Sequence, residues 1–202
     1  MDYAASIFAT AARTFAELVG QISDWDAPGL GEWDLRALVG HTSRSLITVS
    51  SYLQTTASHE DITSAAGYYV AIRGVAAGLG AGDIIERGRQ AGRDLGADPA
   101  TTVDALVDRA LTDIAGVDDP LITVIGGLGI RLHTYLPTRT FELAVHGLDI
   151  ARATGIELQL PVEVLQAATT LAAHTAVALG DGVSVLDALT GRAALPPGFS
   201  VV

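Results

Sequence analysis

Apolar side chains recur at helical spacing along most of the chain, most regularly in the first two stretches. Residues 2–22 carry an apolar residue at every third or fourth position, a period that predicts an amphipathic helix. The loop DAPGLGEW at residues 26–33 is rich in Pro and Gly, and Asp34 follows it as a candidate N-cap. A second helix is therefore expected from residue 35 to about residue 57.

Five further segments have helical character. They are a glycine-containing stretch at 62–79, a short exposed helix and turn within 81–100, a helix opened by Pro99 and running to about Ile114, a helix at 138–154, and a last helix at 162–179. Gly155 stands where a glycine commonly ends a helix, and the chain closes with a tail rich in Pro and Gly.

The segment DDPLITVIGGLGIRLHTYLP, residues 118–137, interrupts this pattern because β-branched residues surround a Gly-Gly pair. It predicts a small hairpin or an extended connector. Amphipathic helices without alternating strands predict an all-α bundle with one small β-like insertion and a short C-terminal tail. No repeat, low-complexity tract or linker divides the chain, so residues 1–202 are expected to form a single domain.

The composition excludes several kinds of chemistry. The 202 residues include no lysine and no cysteine, and the formal net charge is −11. A Schiff base on lysine, a disulfide, a thiolate–metal site and a cysteine nucleophile are therefore excluded. The acidic balance, with no arginine cluster, argues against a nucleic-acid partner. The N-terminus has no basic region of a signal peptide, and no apolar run suggests a membrane span, so a cytoplasmic location is expected.

A polar stripe runs along the predicted 138–154 helix. At 100° per residue, Arg139, Glu142, His146 and Asp149 fall within an arc of about 80°, and apolar side chains occupy the rest of the circumference. One interpretation is a surface helix with a solvated polar face. The other is an internal helix whose stripe lines a cavity, where Glu142 and His146, one turn apart, could hold one cation from one side.

The second predicted helix offers a further imidazole at His41, on a face that also carries Ser45, Thr48 and Tyr52. A histidine beside small polar residues suits the wall of a site, although for His41 taken alone the favoured interpretation is a core or surface histidine hydrogen-bonded to a neighbour. The remaining histidines are weaker candidates. They are His59 in a polar run, His133 in the β-like segment, which is the reserve ligand, and His174 in the last helix.

The segments GEWDLRALVGHTSRS and TRTFELAVHGLDIARATG, about a hundred residues apart, resemble the mycothiol-dependent maleylpyruvate isomerase N-terminal domain family. That family belongs to the DinB-like superfamily of metal-binding four-helix bundles. The resemblance covers most of the chain, up to the ALTGRAALPPGF tail. It implies that His41, Glu142 and His146 bind a divalent metal, usually zinc.

The resemblance also implies roles for other positions. Asp149 matches the aspartate that follows the family's histidine, where it would orient that ligand or serve the structure, and Trp33 matches an aromatic residue with a packing role. The maleylpyruvate isomerase itself has a further C-terminal domain that contributes to its active site. This chain ends soon after the bundle, so the resemblance does not by itself imply isomerase activity.

Three functions remain open from the sequence. The first is a metal-dependent transferase or isomerase that uses a low-molecular-weight thiol such as mycothiol, with the thiol supplied as a cosubstrate because the chain has no cysteine. In that case Arg139 could anchor a substrate carboxylate, although an ion pair with Glu142 or Asp149 is the favoured interpretation. The second is hydrolysis by metal-activated water. The third is a non-catalytic metal- or ligand-binding bundle in stress response or regulation.

The sequence leaves open whether the chain is a monomer or a homodimer.

Overall fold

The computed structural model describes residues 3–76 and 81–202, which contain eight α-helices and one two-stranded sheet. The elements are α1 (Tyr3–Val19), α2 (Leu35–Tyr52), α3 (Ala65–Ala76), α4 (Ala81–Asp94), α5 (Pro99–Ala115), β1 (Leu121–Thr123), β2 (Gly129–Arg131), α6 (Leu132–Thr154), α7 (Val162–Leu179) and α8 (Gly182–Leu189). The prediction of an all-α fold with a small β insertion is confirmed. Residues 77–79, the end of the predicted third helix, lie outside the described residues.

Four helices form the bundle. Helix α1 packs on α6, α6 on α2, α2 on α5 and α5 on α1, so their contacts close a ring around one apolar core. Large side chains at the centre are fully buried, among them Phe8, Phe15, Leu38, Leu46 and Leu143. Helix α6 also packs against α3 and α7, which places it inside the molecule rather than at its edge. An internal α6 is the condition for its polar stripe to line a cavity.

The hairpin is shorter than predicted, and α6 begins earlier. Strands β1 and β2 pair antiparallel, with Ile122 opposite Ile130, around a single 3₁₀ turn at Ile125–Gly127. Helix α6 then starts at Leu132 and continues through Pro137. The prediction of a helix from residue 138 was therefore wrong at its start. Pro137, the sixth residue of α6, cannot donate the i→i−4 hydrogen bond, and the burial of Tyr135 and Leu136 favours the additional helical turns despite this loss.

His133 consequently lies in the first turn of α6 and not in a β segment. Its backbone N–H donates a hydrogen bond to Asp119 Oδ1 at 2.8 Å, so a carboxylate from the preceding loop satisfies one of the free donors at the helix N-terminus. This contact lies at the junction between strand β2 and helix α6.

Three more helical boundaries and one helix differ from the sequence predictions. Helix α3 begins at Ala65 and not at residue 62. Helix α1 ends at Val19 and α2 at Tyr52, each several residues earlier than expected. Helix α8 was assigned to the tail and was missed, because eight residues give too short a window for a periodic pattern. Val183, Leu186 and Leu189 of α8 are exposed, so the helix also lacks a buried apolar face that would stabilise it.

Helix α7 is long enough and apolar enough to cross a membrane by length and composition, with 18 residues and a mean hydropathy of 1.2. It is the one such helix in the part of the chain that the structure describes, and it corrects the expectation that no stretch reaches that length. Because α7 packs along α1, α3 and α6, it is a helix of the folded domain, and its composition is weak support for a membrane span.

Two glycines bring the backbones of α2 and α4 into direct contact. A Cβ atom on Gly40 would overlap the backbone of Ala91 and Gly92. A Cβ atom on Gly92 would lie 2.7 Å from the carbonyl oxygen of Arg36. Gly40 immediately precedes His41, so this close approach sets the position of His41 relative to α4.

We expect Gly40→Ala to destabilise the fold by about 1–3 kcal/mol, because the added methyl group has no space and the two helices must separate. Gly74→Ala in α3 is the matched control. A Cβ atom there meets nothing within 4 Å, so the substitution should be neutral or stabilise by up to about 1 kcal/mol. Urea unfolding of both variants measures the difference. Equal effects of the two substitutions would contradict the close contact.

Candidate metal centre

The polar stripe of α6 faces the interior. The side chains of Glu142, His146 and Asp149 are 21%, 16% and 18% exposed, and Arg139 is 9% exposed as a residue. The interpretation of a surface helix with a solvated face is therefore wrong. Charged groups at these positions are tolerated only if neighbouring groups satisfy them.

The acid–imidazole pair forms a chain of contacts along the helix. His146 Nε2 lies 3.4 Å from Glu142 Oε2, and His146 Nδ1 lies 3.2 Å from Asp149 Oδ2. Arg152 Nη1 donates to the other Asp149 oxygen at 2.8 Å and holds that carboxylate in place. The imidazole thus stands between two carboxylates, and Asp149 occupies the position from which a carboxylate can orient the ring.

His41 meets this pair from α2. Its ring centroid lies 5.1 Å from that of His146, with the two rings nearly perpendicular. Trp33 lies against the other side of the His41 ring at 4.6 Å between centroids, and its Nε1 donates to the carbonyl oxygen of Ile85 at 2.9 Å. Within the described residues the His41 ring nitrogens make no hydrogen bond. The three residues singled out in the sequence therefore meet at one place, and Trp33 has the expected packing role.

The electrostatics differ sharply between the two imidazoles. Burial, and then the nearby His146, lower the pKa of His41 to about 4, so its ring is neutral at pH 7. Burial alone would also lower the pKa of His146, but the hydrogen bonds to Asp149 and Glu142 raise it to about 9. Burial opposes ionisation of Glu142, yet His146 and Arg139 lower its pKa to about 2. The centre therefore holds one ionised carboxylate, one imidazolium and one neutral imidazole.

Tyr69 on α3 is a functional neighbour that the sequence did not indicate. Its hydroxyl donates to Glu142 Oε1 at 2.8 Å, with the Thr138 carbonyl oxygen as a second acceptor at 3.2 Å. The side chain is almost fully buried, so the contact fixes one oxygen of Glu142 and leaves the other directed at His146. No sequence pattern links α3 to α6, and only the folded packing brings these residues together.

A cavity of about 180 Å³ opens beside the centre. Its lining consists of His41, Arg44, Ser45, Thr48, Tyr52, Tyr68, Ile72, Ile125, Tyr135, Arg139, Glu142 and His146. The face of α2 that carries His41 and the stripe of α6 thus both contribute to the wall of this cavity. The other histidines lie elsewhere: the side chain of His59 is 74% exposed and pairs with Asp61, His133 lies beside Asp119, and His174 is exposed on α7.

The residue types at this centre are ones that bind a divalent cation, but their side chains are not arranged as a complete metal site. Two imidazoles and a carboxylate are a ligand set of catalytic zinc sites. In the described residues, however, no group of three or more His, Cys, Asp or Glu side chains is arranged as a ready metal site. His146 Nε2 and Glu142 Oε2 instead form an ion pair at 3.4 Å when the imidazole is protonated. Whether the three residues bind metal therefore stays a prediction.

Comparison with known families adds one finding. The family model described as mycothiol maleylpyruvate isomerase N-terminal domain matches residues 8–151, from α1 to the last turn of α6. The match includes His41, Glu142, His146 and Asp149. No curated protein and no solved structure is significantly similar to the chain.

The raised pKa of His146 predicts how the stability of the metal-free protein depends on pH. The folded-state pKa of about 9 exceeds the ordinary value of 6.5, so the protonated ring contributes stability below pH 6.5 that is lost as pH rises through 9. Chelator-treated protein should lose about 1–3 kcal/mol of unfolding free energy over this range through His146. His146→Gln should remove that loss, and His174→Gln should keep it. The same decline in wild type and His146→Gln, measured by urea unfolding, would contradict the assignment.

Proposed function

The chain belongs to the mycothiol maleylpyruvate isomerase N-terminal domain family, and from this we propose that His41, Glu142 and His146 hold a divalent cation, zinc in the first place. We further propose that the centre serves a transfer or isomerisation reaction that uses a low-molecular-weight thiol such as mycothiol. The family links the chain to mycothiol and to the DinB-like fold. The metal, its ligands and the reaction belong to the proposal.

The observation that carries the proposal is the separation of His146 Nε2 and Glu142 Oε2. Two ligand atoms on a tetrahedral zinc, with bonds of about 2.0–2.2 Å, stand roughly 3.3–3.5 Å apart. The two atoms are 3.4 Å apart, so the pair already has the spacing of one edge of such a site. The neutral ring of His41 lies across from them with a free nitrogen lone pair. A small movement of its side chain would supply the third ligand.

The surrounding residues support the same arrangement. Asp149 accepts the Nδ1 proton of His146, which leaves Nε2 as the atom available to a metal. Tyr69 holds Oε1 of Glu142 and leaves Oε2 beside His146 Nε2. A cation would replace the proton shared by His146 and Glu142, so binding would release a proton from the pair.

A zinc-type cation at this position would lower the pKa of a bound thiol and favour the thiolate, the nucleophilic form. The chain itself would hold the ligands in place and exclude bulk water through the aromatic walls of Tyr68 and Tyr135. The thiol would come from outside, because the chain has no cysteine. Three protein ligands would leave a coordination position open for it.

Metal content tests the centre directly. Wild-type protein equilibrated with zinc and desalted at neutral pH should carry about one zinc per chain. His41→Ala, Glu142→Gln and His146→Ala should carry close to none while remaining folded, because the remaining face of α6 still buries Phe141 and Leu143. His174→Ala, at an exposed histidine, should match wild type. Mass spectrometry gives the ratios and circular dichroism checks the fold. Equal ratios in all five proteins would rule out the site.

Turnover by the zinc-loaded protein separates the reaction classes. On a panel of electrophilic substrates we expect turnover only when mycothiol or a similar thiol is present, and loss of that turnover in Glu142→Gln. Turnover with water alone would instead favour metal-dependent hydrolysis. Full zinc content with no turnover under either condition would favour a non-catalytic binding function.

A further inference from the structure

The two imidazoles of the candidate metal centre are held in different ways. Asp149 Oδ2 lies 3.2 Å from Nδ1 of His146 and orients that ring. The ring nitrogens of His41 have no hydrogen-bond partner in the described part of the chain, and its ring contacts are with Trp33 and His146. Metal-binding histidines are usually oriented by a hydrogen bond to their second ring nitrogen. A different contact is therefore needed to orient His41.

Trp33 stacks on the His41 ring and supplies that contact. The two ring centroids are 4.6 Å apart, and the ring planes are inclined by 32°. Aromatic rings at this separation attract one another, so the indole restricts the rotation of the imidazole. Trp33 is not among the described residues that line the cavity of the centre. It therefore contacts His41 without occupying the space beside Glu142 and His146.

Helix α4 fixes the indole of Trp33 in two ways. The indole Nε1 donates a hydrogen bond to the backbone carbonyl oxygen of Ile85 at 2.9 Å. The ring also lies directly on the backbone at Gly88, where an added Cβ atom would be 2.5 Å from Cε2 of the indole. Glycine is the one residue type that leaves this space open, because every other side chain begins with a Cβ atom. The position of the indole is thus set by α4.

Further contacts join α4 to the segment that carries Trp33 and His41. Arg89 of α4 donates to the backbone carbonyl oxygen of Glu32 at 3.4 Å and lies 3.8 Å from its carboxylate, an exposed and therefore weak pair. The backbone contact of Gly40 with Gly92 lies next to His41 in the sequence. No described residue of α4 lines the cavity. Helix α4 is thus in a position to influence the centre without contributing to its walls.

We propose that Trp33 is the positioning residue of His41, and that helix α4, by holding Trp33, sets how tightly the centre binds its cation. Trp33 keeps the His41 ring beside His146, so only a small turn of the ring brings its nitrogen to a cation on Glu142 and His146. A ring that is already ordered loses less conformational freedom on binding. The effect on the cation rests on the proposed function, whereas the ordering of the metal-free ring does not.

Two substitutions in α4 test this coupling without altering any side chain of the centre. Gly88→Ala places a methyl group where the indole lies and should weaken zinc binding about tenfold or more, because the group that orients a ligand is displaced. Gly82→Ala adds the same group in the same helix, where it meets nothing within 4 Å, and should bind zinc as wild type does. Competition with a chromophoric chelator gives the dissociation constants of the folded proteins. Equal constants for Gly88→Ala and wild type would overturn the coupling.

Substitutions of Trp33 itself separate positioning from a merely structural role. Trp33→Leu removes the aromatic face and should also weaken zinc binding about tenfold or more. Trp33→Phe keeps a ring against His41 and should restore part of that affinity. Trp25→Phe, at the other tryptophan, whose ring lies under Arg36, should match wild type. A lower unfolding free energy in Trp33→Leu, with an unchanged zinc dissociation constant of the folded protein, would overturn the proposal.

A measurement on chelator-treated protein keeps the test independent of the cation. Carbon-13 relaxation of the His41 ring should show an ordered side chain in wild type and Trp25→Phe, and a less ordered one in Trp33→Leu. If Trp33→Leu does not fold, Gly88→Ala takes its place. Ring order that depends on Trp33, in a protein that binds no zinc, would support the positioning and contradict the metal centre. Zinc binding in wild type, with His41 equally ordered in all variants, would support the centre and overturn the positioning.

Discussion

The contact between Glu142 and His146 on an internal helix is the constraint on which the rest of the site depends. A carboxylate with little access to water needs a positive neighbour, and His146 becomes that neighbour by holding a proton up to a pKa of about 9. Asp149 and Tyr69 then fix the far sides of the pair. A proton and a divalent cation satisfy the same pair of atoms, so the structure of the metal-free centre is also the basis of the proposed metal site.

The bundle places the partners of this pair at the required distance. Helix α6 is enclosed by α1, α2, α3 and α7, which keeps its polar stripe away from bulk water. The close approach of Gly40 and Gly92 sets α2 against α4, and Trp33, packed at Gly88 of α4, lies against His41. Arg139 adds a cation to the cavity, which lies against the rings of Tyr68 and Tyr135 and lowers the pKa of Glu142.

The sequence predicted the parts of this arrangement that show as a periodic pattern of apolar and polar residues. The 3.6-residue repeat gave the helices, and the spacing of Glu142, His146 and Asp149 gave their common face. Contacts between distant segments could not be predicted in this way, and so Tyr69, Tyr68 and Tyr135 were missed or unassigned. The start of α6 was misplaced because residues 132–137 were assigned to the β-rich segment, whereas the helix continues through Pro137 and buries Tyr135 and Leu136. Helix α8 was missed because it is short and mostly exposed.

The most direct test of the metal centre is a crystal structure of zinc-loaded protein with anomalous diffraction recorded above and below the zinc edge. The account predicts one strong peak bound by Glu142 and by Nε2 of His146, with the His41 ring turned toward it and Asp149 still on Nδ1 of His146. Bond lengths should be about 2.0–2.2 Å. Zinc at other positions only, with His146 still in contact with both Glu142 and Asp149, would contradict it.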